Sequence, residues 1–198
     1  TAVPPRSDPA PVDDPSAEAP GSVPGNYHPP ALTFYHPSSA GTGAALQLEP
    51  RFNRREPDRY NCFFLELAAQ KTAARQDGDR RVHATFDWEH KLTVKLDFPD
   101  LCELLSVLEG RTEHAGGQRK GLFHQNGRSN TVISFGRAEK GGYYLSLSQK
   151  EIATGQVRRV GITVTEMEAV GLRCILQTGL FFLTFHQHLF AAWDPGRN

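Results

Sequence analysis

Little in this sequence could staple, charge or anchor the chain. Its three cysteines, Cys62, Cys102 and Cys174, are odd in number and lack paired spacing, which excludes a disulfide framework. Basic and acidic residues balance at 22 each, so the bulk charge of a strong polyanion binder is missing. The longest mostly apolar stretch, 174–185, is interrupted by Gln177, Thr178 and Gly179 and stays short of the ~20 residues of a membrane span. Catalytic signatures are lacking too, with no Gly-x-Ser-x-Gly, no Walker lysine loop and no Gly-x-Gly-x-x-Gly. The glycine-rich stretch 115–121 has the wrong spacing for a phosphate loop and leads into a strand pattern.

The carboxylates are scattered, and all three cysteines lie in apolar runs, where buried thiols are inert. Cys102 falls in a first helical turn, a place that can lower a thiol pKa, but no histidine is near it in sequence. No enzyme is expected. His186-Gln-His188, even joined by His90 or His114, makes a thin ligand set without a Cys-x-x-Cys pair. Histidines at a helix end answer the helix dipole more simply. Neither a metal nor any other cofactor is expected.

What is present falls into a tail and a body. Residues 1–37 hold ten of the 14 prolines, few aliphatic side chains, one arginine and four carboxylates (Asp8, Asp13, Asp14 and Glu18). Such a segment cannot bury enough apolar area to offset the roughly 1–2 kcal/mol per residue of backbone ordering. It is expected to be extended, polyproline-like or disordered on its own, and ordered only against a partner surface. The remainder carries 21 basic and 18 acidic residues, a mild positive excess. A folded domain is expected over 38–190, followed by a short C-terminal tail, 191–198.

In the body the pattern predicts strands at 31–35, 43–49 and 61–67, with a charged loop at 51–59 and a polar turn or excursion at 70–81. Alternation over 90–96 sets Leu92, Val94 and Leu96 on one face and Lys91, Thr93 and Lys95 on the other. A helix follows, with Asp97 as N-cap, Pro99 in the first turn, Leu101, Leu104, Leu105 and Leu108 along one stripe, and Gly110 as its stop. Four more strands, 118–125, 131–137, 142–149 and 157–164, are separated by Asn126-Gly127, Lys140-Gly141 and Thr154-Gly155 turns. Thr165 and Glu168 then form a capping box that opens a long helix reaching about His186.

An offset of 68 residues superposes the two halves: Leu96-Asp97 falls on Val164-Thr165, Leu104 on Leu172 and Leu108 on Leu176. Each half is about four antiparallel strands feeding one helix, so the fold class is α+β, two β4–α repeats with antiparallel sheets packed against two helices. The second helix is apolar almost all round. One face can bury against its own sheets; the rest calls for self-association or cover by another subunit.

Three segments carry a resemblance: Tyr35 with 41–51 (Gly-Thr-Gly-Ala-Ala-Leu-Gln-Leu-Glu-Pro-Arg), 86–91 (Phe-Asp-Trp-Glu-His-Lys), and 162–168 (Ile-Thr-Val-Thr-Glu-Met-Glu) with its apolar helix. Together with the duplicated plan they resemble the Whirly family, which includes plant organellar single-stranded-DNA-binding proteins and kinetoplastid mitochondrial RNA-binding proteins that anneal guide RNA. One departure stands out. Where that family has a Lys-Gly-Lys segment associated with DNA binding and assembly, this chain has Gly41 and Gly43 in place of both lysines.

The resemblance implies a single-stranded RNA- or DNA-binding protein, non-catalytic and oligomeric, located in mitochondria or another organelle. Binding single strands needs cations along the backbone and aromatic faces for bases. Position and strand parity nominate Lys91, Lys95, Arg119, Lys120, Arg137, Tyr144, Lys150 and Arg158, with Arg128, Arg159, Phe123 and Tyr143 as further candidates. The balanced charge and missing lysines leave a second expectation open: a structural accessory subunit of a large mitochondrial ribonucleoprotein or respiratory assembly, contacting protein partners through the second helix and the N-terminal tail.

Overall fold

The computed structural model describes residues 31–51 and 61–191, the last six of them through their backbone alone. Most of the Pro-rich tail, most of the 51–59 loop, the side chains of His186 and His188 and nearly all of the C-terminal tail lie outside this description. In the first half, β1 (Leu32–His36), β2 (Ala44–Arg51) and β3 (Cys62–Thr72) form an antiparallel meander, and β7 (Leu92–Leu96) pairs with β3. Helix α1 (Phe98–Leu108) follows. In the second half, β8 (Leu122–Gln125), β9 (Ser129–Arg137), β10 (Tyr143–Glu151) and β11 (Val157–Val164) form a second meander feeding α2 (Glu166–Ala191). The doubled plan is therefore real: two antiparallel sheets, the first of five strands counting the short β6 (Thr85–Phe86) and the second of four, each followed by a helix.

Two expectations need correcting. The polar stretch 70–81 is not a plain excursion: it completes β3 and begins a small hairpin of β4 (Arg75–Asp77) and β5 (Arg80–Val82), while β6 (Thr85–Phe86) pairs with the far end of β3. The strand expected from residue 118 starts only at Leu122, because Gly116 and Gly117 adopt positive φ and turn the chain into a 3-10 segment, Gly117–Arg119. Arg119 and Lys120 thus sit on a turn.

Both helices start where their caps place them. Asp97 accepts from the Asp100 N–H at 3.3 Å while Asp100 accepts from the Asp97 N–H at 2.9 Å, a reciprocal capping box. In α2 Glu168 accepts from the Thr165 N–H at 2.8 Å, and Thr165 Oγ1 accepts from the Glu168 N–H at 3.2 Å. Glu168 also holds His36 Nε2 at 2.7 Å, joining the end of the first strand to the start of the last helix. Burial works against the Glu168 charge, but the bonds from His36 and Thr165 outweigh it, and the carboxyl titrates below its ordinary range. A lowered folded pKa means that this anchor is complete above about pH 4.3 and is lost as pH falls through the folded value.

The sheets and helices share one core. Leu46, Leu48, Leu65 and Leu96 of the first sheet meet Leu104 of α1, Phe135 and Leu145 of the second sheet, and Leu172 and Leu176 of α2 around a single apolar junction. Gly179, which breaks the apolar run in sequence, is where α2 crosses β3: a Cβ there would lie 2.8 Å from the Phe63 ring. The glycine costs helix propensity, about 1 kcal/mol, and admits the aromatic ring in return.

By length and composition, 166–185 is a helix that could cross a membrane, which corrects the expectation that no stretch reaches that size. Here its inner stripe, Ala169, Leu172 and Leu176, is buried in the core. A second apolar stripe lies on the opposite side. Met167, Val170, Phe181 and Phe185 are exposed, as is Cys174; at 100° per residue these positions span an arc of about 60°, centred opposite the buried residues. Phe181 and Phe185 pack with ring centroids 5.3 Å apart.

Gly43 explains one of the absent lysines. A Cβ there would meet Gln70 Oε1 and His36 O, each at 2.3 Å. Gln70 Oε1 accepts from the N–H groups of Ser38 and Gly43, and its Nε2 donates to Ser38 O, closing the β1–β2 connection. Gly43→Ala is therefore expected to destabilise the protein by ~1–3 kcal/mol, read as a lower urea midpoint at unchanged m-value. A change within ~0.5 kcal/mol, the range of ordinary surface substitutions, would mean that the connection yields freely.

Candidate nucleic-acid interface

An antiparallel sheet with helices on one face leaves the other face to solvent, and on the second sheet that outer face collects the relevant side chains. Register places Phe123, Val132, Ser148 and Arg159 side by side across the four strands. The adjacent row is Gln125, Asn130, Lys150 and Val157. Phe123 is 62% exposed and Tyr144 is 40% exposed. Tyr144 lies across Gly161, where a Cβ would come 2.2 Å from its hydroxyl, so a missing side chain on β11 lets the ring lie against the sheet with one side outward. The two aromatics are roughly 17 Å apart by strand spacing, and Ser146 and Ser148 follow Tyr144 along the same face of β10. Arg159 Nη2 reaches Ser146 Oγ at 3.4 Å, and Lys150 is exposed.

The remaining nominated cations separate by surroundings. Lys95 is exposed on the outer face of the first sheet. Lys91 donates to Glu66 Oε2 at 2.6 Å, and Thr93 donates to Glu66 Oε1 at 3.2 Å, so a carboxylate only 7% exposed already holds that lysine. Arg137 faces the helix side of its sheet rather than the outer face: it pairs with Glu166 and stacks over the Tyr143 ring at 4.4 Å. Tyr143 is itself buried, with its ring against Phe135, and offers no stacking face. Arg158 also points inward, donating to Lys91 O at 3.4 Å. Arg119 and Lys120 are exposed on the 3-10 turn, and Arg128 is exposed in the β8–β9 turn.

Sequence reasoning passed over one aromatic group as a site. Tyr35, 57% exposed, meets Phe86 at 5.5 Å and the edge of Trp88 at 6.5 Å. These residues carried the family resemblance, and Ala45 beside Tyr35 and Ala68 in the next strand leave room for the rings. Asp100, the acidic partner three residues past the Asp97 cap, makes a link that the sequence did not foretell: its Oδ1 lies 3.0 Å from His124 Nε2 and joins α1 to β8. Burial pushes the Asp100 carboxyl up despite the histidine.

Among the described residues one group, Asp87, Glu89 and His90, brings three potential metal-ligating atoms within 4.8 Å of one another. It lies at the surface, and Asp87 already hydrogen-bonds His90 at 2.9 Å, a bond that lowers the Asp87 pKa. The thiols differ from one another, contrary to the uniform burial expected. Cys62 is 2% exposed with its pKa raised by burial, Cys102 is raised rather than lowered, again by burial first, and Cys174 is exposed on the outer stripe of α2.

Two sheet-and-helix repeats joined through one core are also the plan of WHY1 from Arabidopsis thaliana, with a TM-score of 0.59 at 18% identity over 87% of this chain and 97% of that one. This is the Whirly-like fold. The plant transcriptional regulator PBF-2 shares it with a TM-score of 0.59 at 17% identity, over 87% of this chain and 92% of that one. The Trypanosoma MRP1/MRP2 structure shares it at 0.54 and 16% identity, over 81% and 99%. No family model and no curated protein matches the sequence, so within the Whirly-like fold the likeness is one of architecture. The exposed aromatics and cations are features of this chain's own surface.

Proposed function

We propose that this protein binds single-stranded RNA or DNA on the outer face of its second sheet, without catalysis, as an oligomer in an organelle. One observation carries the reading: Phe123 and Tyr144 stand exposed among Lys150, Arg159 and a floor of small hydroxyl side chains, on a face that neither helix covers. Bases would stack on the rings while phosphates meet the cations, with little base readout. Lys95, on the first sheet, and Arg119 and Lys120, on the 3-10 turn, are further exposed cations. Lys91 and Arg137 contribute little, because Glu66 and Glu166 already neutralise them. The family resemblance and the Whirly-like fold agree with this reading, and the organellar location rests on the resemblance alone.

The test is a salt titration of binding to short labelled single strands of RNA and of DNA. Affinity at ~50 mM salt that declines steeply toward ~200 mM is expected. No binding at the lower salt ends the proposal and favours the second reading, a structural subunit of a larger assembly, for which the outer apolar stripe of α2 speaks.

That stripe supports assembly through α2 under either reading. Cys174 is exposed and Cys62 is buried with its pKa raised by that burial, so a maleimide should label Cys174 in the monomer while Cys62 is labelled only after denaturation. On assembly Cys174 should become protected. Mass spectrometry across a concentration series reads this directly, and a Cys174 labelled equally at every concentration counts against assembly through α2.

A further inference from the structure

On the helix side of the second sheet, where its strands run past the end of the core, lies an open polar cleft of about 360 Å³. The proposal for it is independent of the strand-binding face, since Gln149 and Glu151 alternate with the outward Lys150 along β10. Two turns build its walls. Ile152 N–H donates to Arg128 O at 2.9 Å, tying the β10–β11 hairpin to the β8–β9 turn. Asn126 Oδ1 accepts from the N–H groups of Arg128 and Ser129, both at 2.8 Å, which settles the amide orientation and leaves Nδ2 as the donor it can offer.

The groups lining this cleft are of two kinds. Arg128 and Arg158 supply two guanidiniums against the single carboxylate of Glu151, a balance that favours an anion. Arg158 is steadied by its bond to Lys91 O. The others are planar amide and carboxylate groups. Gln149 donates through Nε2 to Thr131 Oγ1 at 3.3 Å and keeps its carbonyl as an acceptor; Gln156 offers both kinds of group, and Glu151 accepts. A site for bare phosphate has no use for acceptors. Flat donors and acceptors beside cations match a nucleobase edge joined to a phosphate. The volume lies at the small end of ligand clefts, ~300–1,000 Å³, suited to one nucleotide and too small for a strand. The geometry points to a site for a single nucleoside monophosphate, either free or as the phosphorylated end of a strand.

The experiment is calorimetric titration of the full chain with the four nucleoside 5′-monophosphates, the matching nucleosides and inorganic phosphate. At least one monophosphate should bind, and more tightly than its nucleoside and than phosphate. Arg128→Gln changes an exposed side chain and should weaken binding roughly ten- to a hundredfold, the effect of losing a charged hydrogen bond. Arg158→Lys should weaken it in the same direction, and Phe123→Ala should leave it unchanged. Oligonucleotides with and without a 5′-phosphate separate the two sources: discrimination lost in Arg128→Gln assigns the strand end, and its absence beside monophosphate binding assigns the free nucleotide. Equal binding of monophosphate and inorganic phosphate reduces the cleft to an anion site and overturns the proposal. So does the absence of monophosphate binding, and neither result touches strand binding by the outer face.

Discussion

Replacing Phe123 and Tyr144 together by alanine should lower affinity for single strands by roughly thirtyfold at least and by up to four orders of magnitude. Each stacked base is worth about 1–3 kcal/mol by alanine substitution, and the two rings lie too far apart to share one base. The cations stay in place, so the slope of log affinity against log salt should hold while the intercept drops. That combination separates stacking from phosphate contact. Phe123 is mostly exposed and Tyr144 packs across Gly161, so the variant should lose no more than about 1 kcal/mol of stability, the scale of a cross-strand contact, and fluorescence anisotropy at two salt concentrations reads the rest. Unchanged affinity would move the strand off this face, with the Tyr35–Phe86–Trp88 group next to be tested.

Leu176→Ala carries the largest expected effect on stability. The side chain is fully buried at the junction where both sheets and both helices meet. Truncating such a leucine removes its transfer free energy and leaves a cavity, costing ~2–5 kcal/mol against a total of about 5–15 for a domain. Both repeats share that junction, so urea unfolding followed by tryptophan fluorescence and by circular dichroism should remain a single coincident transition with a lower midpoint. Two separated transitions would mean that the halves are independently stable and that the common core is weaker than its geometry implies.

The fold was legible in the sequence where local rules and global packing agree. Asp97 with Asp100 and Thr165 with Glu168 announce both helices through chemistry confined to four residues, and the 68-residue echo follows from the leucines behind those caps. The β4–β5 hairpin was hidden because its strands are short and charged, with no buried face to impose alternation. The 3-10 turn at Arg119 depends on positive φ at two consecutive glycines, which composition alone does not distinguish from a hairpin approach.

For the candidate site, parity correctly separated Tyr144 from Tyr143, since a strand's alternation is a local property. Whether a cation is free is not local. Lys91 meets Glu66 across 25 residues, Arg137 meets Glu166 across 29, and Arg158 reaches Lys91 across 67. Nor does spacing reveal that Gly161 is empty because Tyr144 occupies its place.

The bond between His36 and Glu168 ties the earliest strand of the body to its latest helix. A growing chain released from synthesis short of that helix holds seven of the nine side chains of the apolar junction, lacking Leu172 and Leu176, and has none of the clasp that fixes its first strand. The seating of the first strand thus depends on the last element of the fold to be made.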